Sequence, residues 1–113
     1  MLPKTYRLQK KKDIEEVFKK GRSFKEDFLV LKTVKNNLEK SCFGFVVSLK
    51  VSKKAVVRNK IRRKLNELVR LNLKKIKPGS NNLLIVLPGL GVKDFWKLKE
   101  SLDKLFSKAG LLN

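Results

Sequence analysis

Histidine is absent from this 113-residue chain, and cysteine, tryptophan and tyrosine each occur once. Without imidazole there is no histidine-centred acid/base pair, and a lone Cys42 forms neither an internal disulfide nor a Cys/His zinc site. Acids are also scarce, ten Asp and Glu against 29 Lys and Arg. A protein nuclease would usually gather a carboxylate cluster to hold metal and activate water, but these ten are scattered among lysines. Asp13, Glu15 and Glu16 come nearest to a cluster and read as first-turn acids of a helix. We therefore expect no catalytic side chain and no protein-bound metal. No run of about 18 apolar residues is present, and the N-terminus lacks an apolar stretch of signal-peptide length. The expectation is a soluble cytoplasmic protein with no membrane partner.

What is abundant is positive charge, a formal net +19. A hydrophobic content of 42% with 8% aromatics nevertheless argues for a folded core, and the length suits one domain over residues 1–113. The charge peaks between Lys53 and Lys75, with ten Lys or Arg and one acid, Glu67. Apolar residues are threaded through that stretch at helical spacing, Val57, Ile61, Leu65 and Leu68. One face can then pack on a core while Arg58 and Arg62 line one border and Lys60 and Lys64 the other. Arg63 and Arg70 point away. Like charges one turn apart destabilise an isolated helix by a few tenths of a kcal/mol per pair, and a polyanion relieves that repulsion. Counterion release makes nucleic acid the favoured polyanion. A membrane-lying helix would carry a broad apolar face with aromatics, which this narrow aliphatic stripe is not.

Along the chain, Ile14, Val17 and Phe18 predict a first helix over Asp13 to Lys20, stopped at Gly21. Ser23 to Lys35, centred on Phe28-Leu29-Val30-Leu31-Lys32-Thr33-Val34, reads as one strand broken by Asn36-Asn37. Cys42 to Ser48 reads as another, with Phe43, Phe45 and Val47 on one face and the smaller Cys42 and Gly44, with Val46, on the other. Small residues there leave room for something packed close. Leu49-Lys50-Val51 is a candidate short strand before Ser52, the expected N-cap of a helix reaching about Lys75. Pro78 to Asn82 is a turn cluster. Leu83 to Leu87, bounded by Pro88-Gly89, is a strand covered on both faces. A last amphipathic helix from about Asp94 to Lys108 stops at Gly110. The expected class is α+β, an α/β sandwich with one mixed sheet of about four strands and three helices, in the order α-β-β-(β)-α-β-α. General rules give its β-α-β crossover a right hand.

These blocks carry a resemblance. Lys54-Ala55-Val56-Val57-Arg58-Asn59-Lys60-Ile61-Arg62-Arg63, preceded by Phe43-Gly44-Phe45-Val46-Val47-Ser48, resembles the protein subunit of bacterial ribonuclease P. So do Leu2-Pro3-Lys4, Tyr6-Arg7-Leu8, Lys12-Asp13-Ile14 and Val17 to Arg22 at the start, and Pro88-Gly89 after the last strand. The similarity spans nearly the whole chain. It implies a left-handed crossover and a role in removing the 5′ leader of precursor tRNA. The phosphodiester hydrolysis is then carried out by a catalytic RNA with Mg²⁺, and the protein is a noncatalytic subunit of that endonuclease.

The resemblance also implies two binding surfaces. One contacts the catalytic RNA through Lys53, Lys54, Arg58, Asn59, Lys60, Arg62 and Arg63, where arginine forks suit phosphate oxygens. Lys60 and Asn66 stand where the family often has further basic residues, and Lys53-Lys54 where it often has Gly. The other surface receives the single-stranded leader of precursor tRNA at Ile14, Phe18, Val30 and Lys32. Ile14 replaces a frequent Phe, removing one stacking platform. Two other classes share the charge: a ribosomal or other RNA-binding domain, and a DNA-binding protein using the central helix in a major groove. The latter calls for a preceding helix, where two strands are expected.

Overall fold

The computed structural model describes residues 3–36, 39–89 and 94–112. Leu2 and Asn37, parts of the opening motif and of the expected strand break, lie outside the described residues. A 3-10 turn at Lys4–Tyr6 leads into α1 (Lys11–Lys20), β1 (Arg22–Glu26), β2 (Leu29–Lys35), β3 (Cys42–Val47), α2 (Ala55–Asn72), β4 (Ser80–Val86) and α3 (Phe95–Lys108). The four described strands form one mixed sheet in the order β1-β2-β4-β3, with β3 and β4 parallel and the other pairs antiparallel. The parallel pair is joined through α2, the expected β-α-β unit.

Alternation along the strands gives the sheet two different faces. Leu29, Leu31, Phe43, Val47, Leu84 and Val86 point to one, where they pack with Ile61, Leu65, Leu68 and Val69 of α2 and Leu98, Leu102, Leu105 and Phe106 of α3. Burying each of these side chains contributes about 1.5–3 kcal/mol, which is what holds so cationic a helix as α2 down. On the other face Leu83 packs with Val17 of α1 and Leu8, flanked by Ile14, Val34, Cys42 and Ile85. The strand β4 is thus covered on both sides, as its unbroken apolar run requires. Gly44 provides the close approach expected of that face: a Cβ there would lie 3.1 Å from Leu83 Cδ1 and 3.4 Å from Leu8 Cβ. The incoming N-terminal segment fills the space, with Leu8 N donating to Phe43 O at 2.8 Å.

Four local expectations are corrected. The first segment is a hairpin of two strands, because Asp27 takes a left-handed φ of 52° and turns the chain between Glu26 and its partner Leu29. Phe28 in that turn is buried, and its backbone O accepts from Leu87 N at 2.8 Å. Gly89 makes room for it, since a Cβ at Gly89 would lie 2.8 Å from Phe28 Cβ. Leu49-Lys50-Val51 is a turn, closed by Val51 N donating to Ser48 O at 3.0 Å. Ser52 is not the N-cap of α2; Lys54 is, and Ser52 Oγ accepts from Lys54 N at 3.1 Å to shape the approach. Ser80, Asn81 and Asn82 belong to β4 because their side chains find partners within the sheet. Asn36 Nδ2 donates to Asn81 Oδ1 at 2.8 Å, and Asn82, fully buried, donates to Ser80 Oγ at 3.0 Å. Paired in this way, polar side chains can lie inside a sheet at little cost.

Candidate nucleic-acid interface

The α2 surface begins with an uncompensated helix start. Its N-cap makes no side-chain hydrogen bond and its first turn holds no acid, so free backbone N–H groups add positive potential to that of Lys53 and Lys54. Lys53, Lys54, Asn59, Lys60 and Arg63 are exposed, whereas Arg58 and Arg62 are half-buried. Arg58 Nη1 donates to Ser52 O at 2.8 Å, clasping the loop that enters the helix. Arg62 Nη1 donates to Asn59 Oδ1 at 2.6 Å, which ties the guanidinium to the preceding turn of the helix. Arg63 Nε lies 3.4 Å from Asn59 O, and Asn66 Nδ2 donates to Arg62 O at 2.9 Å. None of Arg58, Lys60, Arg62 and Arg63 takes part in an ion pair among the described residues. The one acid of α2, Glu67, is bound by Arg70 further along, and that hydrogen bond holds its carboxyl below the usual range. The candidate RNA-contacting residues are therefore brought together, with Arg58 acting partly as a structural clasp.

The second candidate surface lies on the α1 face of the sheet. Phe18 is 46% exposed, and Lys32 Nζ sits 5.3 Å from its ring centroid. This arrangement suits a nucleotide, offering a stacking plane and a phosphate partner side by side. Val30 lies two positions before Lys32, on the same face, and is half-buried beside Ile85, its partner on β4. Ile14 belongs to the packed cluster under α1 and serves the core more than the surface.

Sequence reasoning missed a groove beside α2. Arg7 bridges to Phe43 as a parallel extension of the sheet, and Arg7, Gln9, Gly44, Phe45 and Asn66 line a groove of about 190 Å³ between the N-terminal segment, β3 and α2. Arg7-Leu8 before a strand containing Gly44 was the available signal, since glycine there admits a neighbouring chain.

Among the described residues there is no group of three or more His, Cys, Asp or Glu able to hold a metal. Asp13 and Glu16 line a polar cleft with Arg7, Lys10 and Lys35, and these cations make a poor setting for Mg²⁺, which wants an oxygen octahedron. Burial pushes the Cys42 thiol up, away from the reactive thiolate. Among the described residues, no helix is long and apolar enough to cross a membrane.

A four-stranded mixed sheet with a basic helix on one face and an exposed phenylalanine beside a lysine on the other defines a small RNA-binding protein. The family model for ribonuclease P matches residues 2–110, and the chain belongs to the ribonuclease P protein family. It is similar to the ribonuclease P protein component of Synechocystis, 36% identical over 99% of this chain and 91% of that protein. Its counterpart from Dictyoglomus turgidum is 40% identical over 97% and 93%. The Staphylococcus aureus RNase P protein structure matches with a TM-score of 0.83 at 28% identity, covering 96% of this chain and 98% of that one. That of Thermotoga maritima matches at 0.78 and 31%, covering 90% and 96%. The chain is accordingly a protein subunit of ribonuclease P, the component of that endoribonuclease that does not itself carry the catalysis.

Proposed function

We propose that the chain binds the catalytic RNA of ribonuclease P through Lys53, Lys54, Arg58, Asn59, Lys60, Arg62 and Arg63. The 5′ leader of precursor tRNA lies across Phe18, Val30 and Lys32, with Ile14 beneath them. It works in the cytoplasm as one domain over residues 1–113. The RNA partner holds Mg²⁺ and breaks the phosphodiester bond. On the protein side, the work is positioning: cations neutralise phosphates of both RNAs and bring the leader against its cleavage site.

The observation that carries this reading is the pairing of exposed Phe18 with Lys32 on one face, while the α2 cations lie along the other side of the β3 edge. Two RNA strands can be held at once. The alternative of a helix in a DNA major groove lacks its supporting helix, because α2 follows β3.

Reconstitution tests it. Added at low Mg²⁺ to a bacterial ribonuclease P RNA and precursor tRNA, the protein is expected to raise leader cleavage. Phe18→Ala is expected to weaken binding of long-leader substrates by about 1–3 kcal/mol while leaving mature tRNA unaffected. No gain in cleavage from the native protein would sink the reading, and equal losses for both substrates would return Phe18 to a packing role.

A further inference from the structure

At the end of the sheet where β2 finishes and β4 starts, a cleft of about 700 Å³ opens between the last residues of α1, the first of β1 and the chain following α3. Its floor is stitched by backbone. Asn36 N donates to Gly79 O at 2.9 Å, Lys77 N to Leu111 O at 2.7 Å, and Ile76 bridges to Leu112. Val34, Pro78 and Leu111 give it aliphatic walls, and Lys20, Arg22, Lys35 and Lys77 stand around them. These four side chains are exposed, and none is in an ion pair among the described residues. No Asp or Glu is among the residues lining the cleft.

Two further features favour an anion. The carbonyl end of α3, which would repel one, is closed internally. Gly110 takes a left-handed φ of 69°, Leu111 N donates to Phe106 O at 3.0 Å, and Gly110 N donates to Ser107 O at 3.1 Å. The carbonyl end of α1 is answered by its own Lys19 and Lys20. Four like charges around one concave surface raise the potential there, because low-dielectric walls focus the field.

None of the residues assigned to the two surfaces lines this cleft. Because β3 and β4 run parallel, the start of α2, which follows β3, lies at the strands' far ends, whereas the cleft lies where β4 begins. Lys53 and Lys54 at the start of α2 are therefore separated from the cleft by roughly the length of that helix, about 27 Å at 1.5 Å per residue, and Arg62 and Arg63 by about half of it.

We infer that this cleft is a third nucleic-acid contact, which grips the sugar-phosphate backbone of RNA with Lys20, Arg22, Lys35 and Lys77. The inference rests on the chain's working in an RNA complex, and it adds a contact at the opposite end of the protein from the start of α2. An RNA reaching both must span the protein's length, so the cleft fixes the protein's orientation on its partner as well as its affinity.

The test pairs a direct probe with the assembled complex. In an amide-resolved NMR titration of the full chain with hexauridylate, the amides of Thr33, Gly79 and Gly110 are expected to shift. The double substitution Lys35→Glu with Lys77→Glu is expected to abolish those shifts while leaving those in α2. Lys20→Ala with Arg22→Ala serves as a second variant should the first unfold. With ribonuclease P RNA, the slope of log affinity against log salt is expected to flatten by about 1.5 for two lost phosphate contacts. Flattening with that RNA alone assigns the backbone to it; flattening only once precursor tRNA is bound assigns it to the substrate. Shifts confined to α2 and α1, or unchanged slopes in both arms, overturn the inference. So does tighter binding of hexaglutamate than hexauridylate at these amides, which would make the cleft a protein-docking site. Failure of native protein to raise cleavage would instead count against the proposed function, since the hexauridylate arm does not depend on it.

Discussion

α2 and α3 lie side by side on the same face of the sheet, each with a buried apolar stripe, and they handle charge in opposite ways. Three of the four lysines of α3 are compensated by carboxylates. Asp94 caps it, its Oδ1 accepting from Trp96 N at 2.9 Å. Lys99 pairs with Asp103 at 3.1 Å, Lys104 with Glu100 at 3.1 Å, and Lys108 with Glu26 of β1. The Glu100 carboxylate raises the Lys104 pKa. α2 has six cations and one acid and no side-chain cap, and its acid Glu67 is already held by Arg70. Exposed pairs contribute only about 0.2–1 kcal/mol each, so the contrast is one of available charge rather than stability. A phosphate approaching α3 must compete with a carboxylate already in place. At Arg62 it meets only a neutral amide, Asn59.

The largest expected effects test what the helices share. Leu65 and Leu102 are both fully buried. Replacing either with Ala should cost about 2–5 kcal/mol, read from urea unfolding midpoints. A near-neutral Leu65→Ala would mean that α2 is held by something other than its stripe, and the likeness between the helices would fail at its root.

The next effect tests what separates them. Arg62→Ala should flatten the salt dependence of binding to ribonuclease P RNA by about 0.7–0.9, one phosphate's worth, with little change in unfolding midpoint. Lys99→Ala on α3 should leave that slope where it was. Equal flattening in both would show that pairing with a carboxylate is not what keeps α3 away from RNA.

The sequence made one half of this contrast legible. Val57, Ile61, Leu65 and Leu68 show the α2 stripe by spacing alone, and Leu83 to Leu87 shows a doubly covered strand by its unbroken apolar run. The family motif placed the cations of α2 and the Phe18 and Lys32 pair. Pairing across the fold was invisible. Glu26 and Lys108 are far apart in the chain and meet only because β1 lies under α3, so the neutralised surface of α3 could not be read in advance. The same limit applied to Arg58, whose guanidinium is engaged by the carbonyl of Ser52. The β1–β2 turn was missed because Asp27-Phe28 lacks the Gly or Asn that usually marks a two-residue hairpin. Asn81-Asn82 suggested a turn until Asn36 and Ser80 supplied their partners.

The smallest expected effect concerns how α3 is pinned to the sheet. The Lys108 hydrogen bond, helped by the charges of Lys108 and Lys104, lowers the Glu26 pKa from its ordinary 4.5 although burial opposes it. A carboxylate whose folded pKa lies below its unfolded one stabilises the fold above the unfolded value and loses that contribution as pH falls through the folded one. Native protein should therefore be more stable than Glu26→Gln at neutral pH, and the gap in urea midpoint should close as pH drops below about 4.5. Glu67→Gln provides the counterpart on α2, where Arg70 likewise lowers the carboxyl pKa. That pair joins neighbouring turns of one helix, whereas Glu26 ties α3 to another element and has a side chain only 18% exposed. Its loss should therefore be felt more strongly by the fold. If Glu67→Gln gave the larger gap, the ion pairs of α3 would be surface decoration, and its silence toward RNA would need a cause other than neutralised charge.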